Sequence, residues 1–183
     1  MIYHLSLQVA GVVTGVLLIL LSAAAVFIPT SSRSFVAELP RSRTAGIILL
    51  AIDLVWTFWL LATMEMGEFS SFRRPLLVLL PVAFFLVLKF VDEFLAVRAL
   101  GILFLLAAEP LLEAAFLRYE FSRLLVTLLA YFMIVAGLFW VTMPYLLRDQ
   151  IGWSTKTLTR WRLISGLTFG FGAAILVCAF TVY

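Results

Sequence analysis

DEFLAVRALGILFLLAAEPLLEAAFLRYE, from Asp92 to Glu120, is an apolar run of membrane length that carries two acids, Glu109 and Glu113, with Pro110 between them. Arg98 enters it from one side and Arg118 closes it on the other. A carboxylate inside the hydrocarbon region costs about 3 kcal/mol on insertion scales. A helix that turns these acids toward other helices avoids that cost, so the fold is expected to be built around this segment.

The rest of the chain agrees. Of 183 residues, 64% are hydrophobic and only 13% are charged. A water-soluble domain of this size cannot cover so much apolar surface with so few polar side chains. The apolar runs are continuous rather than alternating, which excludes a barrel. The sequence therefore predicts an all-α integral membrane protein, a six-helix transmembrane bundle forming one domain. Its spans are expected at about Leu5–Ile28, Thr44–Met64, Pro75–Phe90, Phe94–Leu117, Leu124–Leu147 and Leu163–Val182. A crossing needs about 20 residues, so the third segment, which also contains Pro81, is short. The first segment resembles a secretion signal at Ala23–Ala25, but Met1 to Gln8 holds no Lys or Arg; it is read as a retained helix.

Charge orients the bundle. Connections one, three and five, with the helix starts beside them, hold Arg33, Arg41, Arg43, Lys89, Arg98, Arg148, Lys156, Arg160 and Arg162. Connections two and four hold only Arg73, Arg74, Arg118 and Arg123. The excess of basic residues on cytoplasmic loops then puts both termini outside, in the manner of a bacterial inner (plasma) membrane protein. Helix starts at Arg43-Thr-Ala-Gly46, Arg98-Ala-Leu-Gly101 and Arg162-Leu-Ile-Ser-Gly166 suggest three tandem helical hairpins, unless they are a chance recurrence of Arg and Gly at membrane boundaries. Gly11 and Gly15 in the first span, and Gly166 and Gly170 in the last, form small-xxx-small faces for helix packing, within the monomer or between copies. In connection five, Ser154 or Thr155 is expected to cap a short surface helix whose Lys156, Arg160 and Arg162 contact lipid headgroups.

Composition also excludes functions. The basic residues form short clusters between apolar runs, not a nucleic-acid stripe. The lone Cys178 rules out an intramolecular disulfide or a CxxC site, and the lone His4 rules out a histidine metal cluster or triad within one chain. No catalytic motif, metal site or cofactor is expected.

The candidate site is polar and intramembrane: Asp53, Glu109, Glu113, Thr57 and Arg98. Asp53 lies about 15 Å along its helix from Arg43, and Glu109 about 16 Å from Arg98, so the two acids are expected at one height, sharing one pocket. Pro110 would free the carbonyl of Leu106 to join them. Such a group suits a proton or a hard cation. Alternatively the acids serve only as hydrogen-bonding glue between helices, and Glu113 simply pairs with Arg118 or Arg123. Two functions follow: a non-catalytic subunit or scaffold of a membrane assembly, partnered by its own copies or other membrane subunits, or a small proton- or cation-coupled transporter or channel using Asp53 and Glu109.

Overall fold

Long continuous apolar runs fold as helices, because a helix satisfies its own backbone without water. The computed structural model describes residues 3, 5–91 and 94–182. His4, and Asp92 and Glu93 at the start of the quoted stretch, lie outside the described residues. The helices are α1 (Leu7–Phe27), α2 (Pro29–Glu38), α3 (Arg43–Thr63), α4 (Arg73–Phe90), α5 (Leu95–Ala115), α6 (Arg123–Thr142), α7 (Tyr145–Thr155) and α8 (Leu158–Thr181). Among the described residues six helices are long and apolar enough to cross a membrane: α1, α3, α4 with the 3-10 turn before it, α5, α6 and α8. The short third segment is extended by that turn into 24 helical residues, Gly67–Phe90, and α4 runs through Pro81.

Sequence caps set several starts. The hydroxyls of Ser6 and Ser42 accept hydrogen bonds from the N–H groups of Val9 and Ala45, each at 3.2 Å. Thr157, rather than Ser154 or Thr155, caps α8 by accepting from Arg160 N–H at 3.4 Å. The expected surface helix carrying Lys156, Arg160 and Arg162 is therefore corrected. Lys156 sits in the bend after α7, while Arg160 and Arg162 belong to the first turns of α8.

Glycine decides which helices meet. A Cβ on Gly15 of α1 would lie 3.0 Å from the carbonyl oxygen of Gly172 on α8, and one on Gly172 would lie 3.2 Å from that of Gly15. The same reciprocal approach joins α5 to α6, where a Cβ on Gly101 would lie 2.9 Å from the Gly137 oxygen and one on Gly137 2.8 Å from the Gly101 oxygen. Gly46 of α3 lets in the backbone of α5, its Cβ position being 2.8 Å from the nitrogen of Ala96. Backbones this close gain dispersion contact that a side chain would prevent. The main pairings are thus α1 with α8, α5 with α6, and α3 with both α5 and α4. Two of these pairings join successive spans, α3 with α4 and α5 with α6, and a third joins the last span, α8, to the first, α1. Leu7 and Ala10 of α1, Leu111 and Ala114 of α5, Val126 and Ala130 of α6, and Ile175 of α8 form the main core.

Connections one, three and five gather at one end, here the basic end. There α2 packs on α7, an Arg33 Nη2 donates to the Lys156 carbonyl at 3.3 Å, and the Arg148 guanidinium lies 5.7 Å from the Phe94 ring. Trp161 is buried and its Nε1 donates to the Ala25 carbonyl at 3.0 Å, tying the start of α8 to the end of α1. α4 differs from the other spans: none of its residues is buried.

Candidate functional site

Asp53 is 3% exposed, and neither carboxyl oxygen has a hydrogen-bond partner among the described residues. It lines a crevice of about 190 Å³ with Leu50 and Thr57 from α3, Phe84 and Val87 from α4, and Ile102 from α5. Thr57 stands one turn beyond Asp53 on the same face, as the sequence predicts. Arg98 does not line the crevice. It is half-buried near the start of α5, with its Nε buried and without a hydrogen-bond partner among the described residues.

Glu109 is elsewhere. It is exposed, in a separate open groove lined by Leu105, Leu112 and Glu113 of α5, Phe116 just past its end, and Ile134 of α6. The shared pocket expected for the two acids does not form, and register is the reason. Counting from the helix-start arginines sets Arg43 level with Arg98, but the close approach that fixes the two parallel helices is Gly46 against Ala96. Asp53 lies seven residues past Gly46, Glu109 thirteen past Ala96. The six-residue difference puts Glu109 about 9 Å further from the basic end.

Tyr3 links α3 to α5 beyond Asp53. Its backbone N–H donates to Glu113 Oε2 at 3.2 Å, and its phenol oxygen accepts from Trp56 Nε1 at 2.7 Å. Its ring packs on Trp59, with centroids 5.5 Å apart. Burial pushes the Tyr3 phenol above its usual pKa of 10.0; the Trp56 hydrogen bond opposes this, while Glu109 and Glu113 add to it. Glu113 thus takes its contact from the N-terminal segment, which corrects the expected pairing with Arg118 or Arg123; among the described residues its buried Oε1 has no partner. An aromatic residue placed just before the first apolar run was the one signal for Tyr3.

The helix-packing expectation divides. Gly11 and Gly15 are buried in α1. Gly166 and Gly170 are exposed, with no atom within 4 Å of a Cβ built on either, so the contact glycine of α8 is Gly172 instead. Two residues is 200° around a helix, which turns Gly170 away from the face that Gly172 presents to α1. At the basic end Lys156 and Arg162 are exposed, and the Arg160 guanidinium sits 4.8 Å from the Trp153 ring.

No protein-family model matches the chain, and no curated protein or solved structure matches it either. Chemically, the crevice offers one carboxyl and one hydroxyl among apolar walls, and among the described residues no three His, Cys, Asp or Glu side chains converge on a metal position.

Proposed function

We propose that the protein is a non-catalytic, multi-pass subunit of a membrane assembly, seated in a bacterial inner (plasma) membrane with its basic end in the cytoplasm and both termini outside. Glu109 supports this reading most strongly. It is the fifteenth of 21 residues in α5, well inside an apolar helix, yet it is exposed on the flank of the single chain. A carboxyl left against acyl chains costs about 3 kcal/mol. A partner helix that brings a hydrogen-bond donor or a basic side chain to the groove removes that cost. The unburied α4 and the outward Gly166–Gly170 face offer further surface for the same purpose. The partner is a second copy or another membrane subunit, and Lys156, Arg160 and Arg162 lie where anionic headgroups would meet them.

A transporter reading is narrowed by the separation of Asp53 from Glu109, since one site would hold only one of them. The test is the size of the complex extracted from native membranes in mild detergent. Wild type should migrate as more than a single chain, Glu109→Gln should retain most of the complex because an amide still hydrogen-bonds, and Glu109→Leu should lose it. A wild-type monomer, or a Glu109→Leu complex of full size, would contradict the proposal. A variant that assembles normally but loses ion flux would favour transport.

A further inference from the structure

The crevice behind α4 is separate from the Glu109 groove, on which the assembly reading most strongly rests. We propose that it binds a lipophilic amine, with Asp53 as the group that holds the nitrogen. The walls define the ligand class. A hard cation such as Ca²⁺ takes about six to eight oxygens, and this crevice supplies three from side chains, two on Asp53 and one on Thr57. An anion is repelled by the carboxyl. A neutral hydrocarbon fits the walls but leaves both carboxyl oxygens buried and unpaired. An amine satisfies each constraint: its N–H groups donate to Asp53, its hydrocarbon lies against Leu50 and Val87, and Phe84 supplies an aromatic ring of the kind that attracts ammonium.

Access points to the same class. Ala83, on the rim, is exposed and is the eleventh of 18 residues in α4, so the crevice meets the surroundings at mid-helix depth. With no buried residue of its own, and held to the bundle through the half-buried Phe84, Val87 and Leu88, α4 can shift to widen that entrance at less packing cost than the other spans. A ligand arriving there passes through acyl chains, which a free-base amine does readily. Inside, amine and carboxylic acid share one proton, so the pair is neutral whichever partner holds it, and no further reactant is needed. Among the described residues no other titratable side chain lines the crevice.

The experiment uses the full-length chain in phosphatidylcholine nanodiscs and a diazirine-bearing hexylamine as photoprobe. Adducts mapped by peptide mass spectrometry should fall on residues 50–57 and 80–87. Hexylamine should compete for them and hexanol should not. Asp53→Asn should reduce labelling about tenfold or more, the size expected for a lost charge-assisted hydrogen bond, and Glu109→Gln should leave it unchanged. Ala83→Phe keeps the carboxyl but fills the rim, and should also abolish labelling, which guards against a folding defect in the Asp53 variant. Equal competition by hexanol, undiminished labelling of Asp53→Asn or Ala83→Phe, or loss of labelling in Glu109→Gln would each overturn the proposal.

Discussion

At the scale of single residues, Asp53 is held at the expense of stability. Both its oxygens are buried without partners among the described residues, a condition that costs about 1–3 kcal/mol for a polar group in a protein interior. Its neighbours are apolar, and the crevice leaves room for branched carbons. Asp53→Leu should therefore raise stability by roughly 1–2 kcal/mol, read as a higher midpoint in detergent thermal unfolding; a fall of similar size would mean that the carboxyl has structural partners. The sequence marks Asp53 clearly, since an acid in IILLAIDLVWTFWLL has no local explanation. It also leads one to expect hydrogen-bond partners that the fold does not supply. Glu109 was equally legible as an anomaly, but its side of the helix depends on neighbours that no local pattern names.

At the scale of elements, glycine position sorts the helices. Gly137 is a single glycine within a long apolar run, with no small-xxx-small partner to mark it, yet it meets Gly101 across the α5–α6 crossing. Gly166 and Gly170 carry the motif and meet nothing. Gly137→Leu should push α5 and α6 apart and destabilise the bundle by about 2–4 kcal/mol, while Gly166→Leu should leave the monomer's thermal midpoint unchanged or slightly raised, since leucine favours helix by nearly 1 kcal/mol over glycine. The reverse ranking in thermal unfolding would overturn the crossing. Span boundaries were readable to within a few residues for most helices because apolar length and caps are local. The register of α3 against α5 was not, because it depends on which backbone atoms approach, and the Arg-then-Gly pattern points to a different alignment.

At the scale of the whole molecule, the nine-to-four division of basic residues and their gathering at one end support a single orientation. Reporter fusions at Glu68 and Trp153 should give opposite signals, with Glu68 outside; a shared signal would remove the topology. The remaining question for the molecule is what covers Glu109. Composition could show that an acid inside an apolar helix needs a neighbour, but not whether this chain or another provides it. The most direct measurement is photocrosslinking in native membranes from a diazirine amino acid at Leu112, which lines the Glu109 groove. The expected result is a covalent protein adduct larger than the single chain, weakened by Glu109→Leu. Adducts to lipid alone, with the same yield in both backgrounds, would contradict the assembly reading.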